Sequence, residues 1–376
     1  KRKNGIQKEE KQEINFVEEQ DVFQNLIGSN GSLKNPIEQM KTSIFYPNTS
    51  LPVFLHGPTG SGKSFMARKI YEFAVQEGIL KPDAPFIIMN CAQYVNNIEL
   101  LSSNLFGYVK GAFTGAYATT KGLLEAADGG MLFLDEVHRL NSESQEKLFV
   151  FLDQGIFRRM GESEGWHKAK VRMVMATTEN LESNFLDTFL RRIPIVVQIP
   201  SLRERGEQER LQFIYHFFIE ESKVLDKKMK VSGNVIEALL NHLYQGNIGD
   251  LENKIKFICA TAYAKKKRKN EIDIHLEHLP EDVLKGIAEK AENKIGNYDT
   301  VEIYPNAPIQ EILSGDKNGK DYHQELFEKF LLRLHRKIPI PNMHTYAKQL
   351  FLNKKTLDFL YISPLDKQYN SIELVY

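Results

Sequence analysis

Residues 57–64 read GPTGSGKS, and they stand between a short apolar run at 53–55 and a segment of helical character at 65–74. A strand, a glycine-rich turn and a helix in this order form the setting of a phosphate-binding P-loop. In such a loop, backbone N–H groups converge on phosphate oxygens and the helix N-terminus adds partial positive charge. The alternative, a plain turn with a surface lysine, is disfavoured by the strand and helix on either side. The predicted nucleotide site comprises Gly57, Pro58, Thr59, Gly60, Ser61, Gly62, Lys63 and Ser64.

A second apolar run, 131–136, reads MLFLDE and ends in two carboxylates. Ligands bind at the carboxyl ends of strands in open parallel sheets, where these charges would lie. We expect Lys63 to reach the terminal phosphates of ATP. Ser64 and Asp135 would hold Mg²⁺, and Glu136 would polarise the attacking water. A strand that ends in Asp-Glu is common by itself, so this prediction rests on its pairing with the P-loop.

Strand-length apolar runs alternate with longer segments of helical periodicity from Phe23 to about Pro200. This alternation predicts an α/β fold with a parallel sheet covered by helices on both faces. After Leu202 the strand-like runs stop and apolar residues recur at helical spacing. The predicted units are a charged linker at 1–22, an α/β nucleotide-binding subdomain at 23–202, a helical lid at 203–284, and a linker with a mostly helical, incomplete C-terminal region at 285–376.

The composition excludes several classes of protein. The 49 basic and 49 acidic residues balance, which argues against a chain devoted to wrapping DNA. Two cysteines, Cys91 and Cys259, are too few for a disulfide framework and indicate a reducing, cytoplasmic compartment. Apolar runs are of strand length, well short of the roughly 20 residues that span a membrane. Because the first residue is Lys1 rather than methionine, we expect a fragment of a longer protein.

Residues 111–116 read GAFTGA, preceded by LFGYVK at 105–110 and followed by GLLEAADGG at 122–130. This stretch resembles the sigma-54-dependent transcriptional activators, AAA+ ATPases of the enhancer-binding class, and the likeness runs from about Asn25 to Pro280. The resemblance implies an AAA+ P-loop three-layer sandwich, a lid, and a loop that contacts the sigma-54 factor. The partner-binding residues would be Gly111, Ala112, Phe113, Thr114, Gly115 and Ala116, with Phe113 and Thr114 touching sigma-54.

The residue types of this loop suit such a contact. Glycines among small residues let a loop move between folded and extended states at low cost. The single phenylalanine presents an apolar anchor of the kind that dominates protein interfaces. The alternative interpretation of Phe113 is a loop residue tucked into the local core.

Further assignments come from the same resemblance. Asn90 would restrain Glu136 until the partner engages, and Thr177 would sense the γ-phosphate. Taken singly, a strand-end asparagine and a buried threonine are ordinary structural residues. Arg191 would reach the nucleotide of a neighbouring subunit, with Arg192 as its assistant or as a salt-bridge partner. Such an arginine acts across a subunit boundary, so the resemblance implies a homo-oligomer, a hexameric ring.

Two positions depart from the family pattern. Phe185 stands where many relatives have a second arginine, and Gly249 stands where an arginine normally faces the phosphates. The glycine, together with DEVHRL at 135–140 and FRRMGE at 157–162, resembles the branch of levanase-operon activators that regulate sugar phosphotransferase operons. The branch implies DNA binding by a domain missing from this chain, and phosphotransferase-system proteins as further partners.

The leading hypothesis is an ATPase that remodels RNA polymerase carrying sigma-54 so that promoters open. One alternative is an AAA+ remodeller of another protein client. A second is a nucleotide-binding switch with negligible turnover, which the missing arginine at position 249 favours. His323 and His335 are candidates for phosphorylation, although an ordinary surface or capping histidine is the simpler interpretation of each.

Overall fold

The computed structural model describes residues 21–46, 51–265, 271–290 and 298–305. Most of the predicted linker at 1–22 lies outside the described residues. So does most of the predicted C-terminal region at 285–376, including His323 and His335. All described elements belong to one compact unit that ends at Asn306.

The described part of the chain contains short and long strands in this order. They are β1 Val53–His56, β2 Phe86–Asn90, β3 Gly107–Tyr108, β4 Thr120–Lys121, β5 Met131–Asp135, β6 Ile156–Phe157, β7 His167–Lys168, β8 Arg172–Thr177, β9 Ile195–Gln198, β10 Lys228–Val231, β11 Glu271–Ile274 and β12 Val301–Ile303.

Helices separate most of these strands. They are α1 Lys34–Phe45, α2 Lys63–Gln76, α3 Ile98–Phe106, α4 Leu123–Ala126, α5 Ser142–Gln154, α6 Leu181–Asn184, α7 Asp187–Leu190, α8 Glu207–Leu225, α9 Gly233–Asn241, α10 Asn247–Lys265 and α11 Glu281–Lys290. Short 3-10 turns occupy Cys91–Tyr94, Val137–Arg139 and Leu276–His278.

The main sheet has five strands in the order β2-β5-β8-β1-β9, and every neighbouring pair is parallel. Successive side chains of a strand point to opposite faces, so each buried strand contributes side chains to two hydrophobic cores. Phe54 and Leu134 pack on one face with helices α3 and α5. Leu55 and Phe133 pack on the other face with α1 and α2. The predicted parallel α/β sandwich with helices on both faces is therefore confirmed.

The region after Leu202 is mainly helical, as expected, but it also contains a small sheet. Strands β10, β11 and β12 pair in the order β11-β10-β12, with β12 antiparallel. The expectation that strand-like runs end at Leu202 is therefore wrong. Both β10 and β11 alternate partly exposed and buried residues, as in KMKV and EIDI, so neither forms the continuous apolar run by which the first strands were recognised.

Helices long and apolar enough to cross a membrane are absent from the described ranges.

Candidate functional site

The P-loop links β1 to α2 at the carboxyl edge of the main sheet. Gly60 and Gly62 have φ values of 72° and 103°, in the left-handed region that favours glycine. The Lys63 ammonium is buried and donates to the carbonyl oxygens of Gly57, at 2.8 Å, and Pro58, at 3.1 Å. Burial lowers the pKa of Lys63, while Glu136 and Asp135 oppose that shift. The carbonyl oxygens of the P-loop thus hold the Lys63 ammonium group in place.

Ser64 and Asp135, the two predicted magnesium ligands, are in contact. The Ser64 hydroxyl donates to Oδ2 of Asp135 at 3.1 Å, although 71 residues separate them in the chain. Parallel pairing of β1, β8 and β5 creates this contact, because it aligns the carboxyl ends of the strands at one edge. A hydroxyl and a carboxylate oxygen are hard ligands of the type that Mg²⁺ takes in nucleotide sites. The residues present therefore fit the metal.

Glu136 follows Asp135 in an unusual backbone conformation. Its φ of 50° lies in the left-handed region, which costs a non-glycine residue free energy of order 1 kcal/mol or more. Its Oε2 accepts a hydrogen bond from Thr178 Oγ1 at 3.3 Å and lies 3.3 Å from Nδ1 of His138. The turn directs the carboxylate towards β8 rather than along its own strand.

Thr177 ends β8 beside the P-loop. Its backbone oxygen accepts from the Gly57 N–H at 3.3 Å. Its buried hydroxyl oxygen accepts from the Glu179 N–H at 3.1 Å and lies 3.0 Å from Nδ1 of His138. The predicted sensor therefore shares the sheet edge with the P-loop and the two acids.

Asn90 reaches the same edge but makes a different contact from the predicted one. It pairs in register with Asp135 across β2 and β5. Its Oδ1 accepts from the Ala92 N–H at 2.9 Å and so caps the following 3-10 turn. Among the described residues, no hydrogen bond joins it to Glu136. The pairing of Asn90 with Glu136 therefore stays a prediction.

The two arginines after α7 differ in their surroundings. Arg192 forms an ion pair with Asp153 at 3.1 Å and lies over the ring of Phe149. Arg191 is exposed, and none of the described side chains forms an ion pair with it. An exposed guanidinium of this kind is available to a second subunit.

Phe185 is part of the core. Its ring packs edge-on against Phe54, with centroids 5.2 Å apart, and stacks on Phe189 at 5.9 Å. An arginine here would bury a charge in the apolar layer between β1 and α7, at high cost. The departure at this position is therefore built into the packing.

Asn247, a residue that the sequence reasoning did not single out, ties the lid to the P-loop. Its Nδ2 donates to the Thr59 oxygen at 2.8 Å, and its Oδ1 accepts from the Leu202 N–H at 2.9 Å. Its φ of 52° is left-handed, which asparagine tolerates better than most residues. The Gly246-Asn247 pair was the available signal, since both residue types favour turns.

The start of α10 rests directly on the P-loop. The Ile248 N–H donates to the Gly60 oxygen at 3.1 Å. A Cβ on Gly60 would lie 2.0 Å from the Gly246 oxygen, so glycine is required for this approach. Around Gly249, in contrast, a Cβ would meet no described atom within 4 Å. The lid contacts the P-loop through its backbone, through Asn247 and through Arg205, whose Nη2 donates to the Ser61 oxygen at 3.4 Å. Position 249 faces open space.

The loop Gly111–Ala116 projects from the antiparallel pair β3 and β4. It is folded on itself, since the Gly111 N–H donates to the Ala116 oxygen at 2.9 Å. Gly111 and Gly115 have φ values of 84° and 104°. Phe113 is 37% exposed, with its ring 5.0 Å from that of Tyr108. Phe113 is therefore partly open to solvent and is not a core residue.

A second loop, between β6 and β7, supports the first. Met160 donates to the Gly107 oxygen at 2.9 Å and accepts from the Val109 N–H at 3.1 Å. A Cβ on Gly161 would lie 2.6 Å from Cβ of Ala112, so the two loops touch at their backbones. The sequence reasoning used FRRMGE only as a mark of a branch and did not find this contact, because no local pattern shows which distant loop a turn meets.

Comparison with known families agrees with the geometry. Residues 26–196 match the family described as "Sigma-54 interaction domain". Residues 203–295 match the family described as "AAA+ ATPase lid domain". The two matches follow each other along the chain and together contain the P-loop, the acid strand, the loop Gly111–Ala116 and the lid.

Two curated relatives are similar over this region. One is the transcriptional regulatory protein LevR of Bacillus subtilis, 46% identical over 259 residues, which is 69% of this chain and 28% of LevR. The other is the transcriptional regulatory protein DagR of Salmonella typhimurium, 42% identical over 246 residues, which is 65% of this chain and 26% of DagR. The chain thus spans little more than a quarter of the length of these relatives.

Solved structures share the fold. NtrX from Brucella abortus in complex with ATP aligns with a TM-score of 0.54 and 22% identity, covering 87% of this chain and 69% of NtrX. The same protein in complex with ADP gives a TM-score of 0.53 and 22% identity, covering 84% and 60%. This likeness supports the AAA+ architecture.

We predict that Asn247→Ala destabilises the protein by about 2–3 kcal/mol, because it leaves the buried Leu202 N–H and the Thr59 oxygen without their partner. Equilibrium unfolding in urea measures the change. Asn234→Ala, at an exposed position of α9, is the matched control and should stay within about 0.5 kcal/mol of the parent. Equal stability of both variants would contradict the linking role of Asn247.

Proposed function

Because the chain belongs to the sigma-54-dependent transcriptional activators, of the LevR type, we propose that it hydrolyses ATP and uses the energy to remodel RNA polymerase carrying sigma-54. One observation carries the enzymatic part of this proposal. Lys63, Ser64, Asp135 and Glu136 share one sheet edge, and the Ser64 hydroxyl contacts the Asp135 carboxylate at 3.1 Å. The remodelling part is supported by the separate, partly exposed loop Gly111–Ala116.

Each residue of the edge has a proposed task. Lys63 exchanges its bonds with the Gly57 and Pro58 oxygens for bonds with the terminal phosphates. Ser64 and Asp135 would hold Mg²⁺, which supplies charge neutralisation at the phosphate oxygens when bound. Glu136 accepts a proton from, or orients, the attacking water.

Thr177 and Arg191 act at the terminal phosphate from two sides. The Thr177 hydroxyl lies beside the P-loop, whose Gly57 N–H donates to the Thr177 backbone oxygen. Arg191 would serve the site of a neighbouring subunit, where such an arginine is worth about 10³ to 10⁵ in rate. We therefore propose a homo-oligomeric ring, as in the hexamers that the resemblance implies, as the active form.

The connection between site and loop is short. After β4, only Gly122, the single-turn helix α4 and four further residues precede β5, the strand that carries Asp135. At the base of the stem, a Cβ on Gly122 would lie 2.3 Å from the Gly107 nitrogen, so the two chain segments are in close contact. We propose that a change of nucleotide at the sheet edge moves the strand pair β3–β4 and thereby Phe113, which lies in the loop that projects from this pair.

The biological setting follows from the resemblance to the levanase-operon activators. We propose that the protein regulates a sugar phosphotransferase operon, with DNA bound through a domain outside this chain and phosphotransferase-system proteins as further partners. The nucleotide switch with negligible turnover stays the second candidate, and the open space at Gly249 favours it, since no side chain of the lid reaches the phosphates from that position.

We predict that Glu136→Gln lowers the kcat of ATP hydrolysis by about 10² or more, because the amide cannot accept the proton of the attacking water. The Kd for ATP should stay unchanged. Glu143→Gln, at an exposed position of α5, is the control and should hydrolyse ATP like the parent. Equal rates for the parent and Glu136→Gln would refute the assignment, and a parent without turnover at high protein concentration would favour the switch.

Phe113 is the apolar tip of the loop Gly111–Ala116. With ADP and a γ-phosphate mimic bound, the parent chain should capture sigma-54 in a pull-down, and Phe113→Ala should lose most of this capture because the apolar anchor is gone. Both should bind ATP equally. Phe257→Ala, at a more exposed aromatic on α10, serves as the control. Undiminished capture by Phe113→Ala would show that the loop is not the contact.

A further inference from the structure

His138 lies between the two residues that would act on the terminal phosphate and its attacking water. It belongs to the 3-10 turn Val137–Arg139, directly after β5 and Glu136. Its side chain is only 6% exposed. Nδ1 is 3.0 Å from the Thr177 hydroxyl oxygen and 3.3 Å from Oε2 of Glu136. One ring nitrogen therefore faces both groups.

The position of the imidazole proton follows from burial. Burial lowers the pKa of His138, so near neutral pH the ring carries a single N–H. Nε2 is buried without a partner among the described residues. An unpaired buried N–H donor is rarer in proteins than an unpaired acceptor. The proton is therefore assigned to Nδ1, where it can serve the carboxylate and the hydroxyl, and Nε2 is left as the bare nitrogen.

This proton fixes the direction of the Thr177 hydroxyl. The Thr177 oxygen already accepts from the Glu179 N–H at 3.1 Å. With the His138 N–H as a second donor, both acceptor positions of the oxygen are used. The single hydrogen of Thr177 must then be donated elsewhere, as a residue that recognises a phosphate oxygen requires.

The same proton faces the carboxylate of Glu136. Oε2 also accepts from Thr178 Oγ1 at 3.3 Å, so two neighbours converge on one carboxylate oxygen. Asn90, whose Oδ1 is bonded to the Ala92 N–H, makes no such bond within the described part of the chain. Here the carboxylate is oriented from the side of its own strand end and of β8, rather than from β2.

We propose that His138 is a positioning residue for ATP hydrolysis, which through Nδ1–H orients the Glu136 carboxylate and turns the Thr177 hydroxyl into a donor. The inference rests on the proposed function, because it assigns a task within that same site. His138 touches neither water nor phosphate in this assignment, and it acts only through Glu136 and Thr177.

The test compares three substitutions of His138. His138→Phe keeps a ring and removes both nitrogens. His138→Asn places an amide N–H near the position of Nδ1, and His138→Gln places one farther out, near Nε2. The readouts are kcat for ATP hydrolysis and the Kd of a fluorescent ATP analogue, with thermal unfolding as a check on folding. His216→Phe, on α8, is the control for loss of a part-buried histidine.

We expect His138→Phe to lower kcat by about 10- to 100-fold, the equivalent of one hydrogen bond to a charged group, with the Kd unchanged. His138→Asn should regain a large part of this loss, and His138→Gln should not. The Asn and Gln variants keep the test decisive should the Phe variant fail to fold, since they carry the same amide and differ by the one methylene group that moves it.

Two outcomes would overturn the assignment alone. They are a parental kcat for His138→Phe, or equal rates for the Asn and Gln variants, in a chain whose parent hydrolyses ATP and whose Glu136→Gln variant does not. A parent without turnover would instead overturn the proposed function, and the assignment of His138 with it.

Discussion

The parallel register of β1, β8, β5 and β2 is the constraint on which the rest of the structure depends. It sets His56 beside Thr177 and Asn90 beside Asp135, so that the strands end at one edge. The inner strands β1, β8 and β5 are buried on both faces, and a slip by one residue would turn their apolar side chains to the wrong core. The packing that stabilises the sandwich therefore also fixes the distance between Ser64 and Asp135. Stability and the geometry of the site have the same origin.

The edge carries strain and buried polar groups that the cores support. Glu136 adopts a left-handed backbone conformation, and Lys63 loses its hydration inside the loop. Such arrangements persist where the surrounding structure determines them, and they collect at functional sites. The lid adds to this support, because Asn247 and the Ile248 N–H bind two successive carbonyls of the P-loop. Lid position and loop conformation are thus linked through hydrogen bonds, one of them from the buried Arg205 to the Ser61 oxygen, rather than through an arginine at position 249.

Sequence reasoning predicted the parts whose signal is local. The P-loop, the acid strand and the loop Gly111–Ala116 are contiguous segments, and each was recognised from its own residues. The parallel sheet followed from the alternation of strand and helix patterns. Its family relationship was recognised from the hexapeptide and its flanks, and the matches at 26–196 and 203–295 confirm it.

The remaining features depend on residues that are distant in the chain. The lid strands KMKV and EIDI are stabilised by pairing across some 40 residues and show only alternation. In the sequence, His138 is noted only as part of DEVHRL, a motif that resembles one branch of the family. Its position between Glu136 and Thr177 depends on the register of β5 and β8, which the sequence does not show. The burial of Phe185 against Phe54 likewise became visible only in three dimensions.

The proposed function requires that the state of the nucleotide at the sheet edge governs the loop Gly111–Ala116. Hydrogen–deuterium exchange over 107–121, without nucleotide, with ADP, and with ADP plus aluminium fluoride, tests it most directly. We expect faster exchange with the γ-phosphate mimic than with ADP, because raising the loop breaks the Gly111–Ala116 and Val109–Met160 backbone hydrogen bonds. Equal exchange in all three states, with 57–64 protected by bound nucleotide, would contradict it.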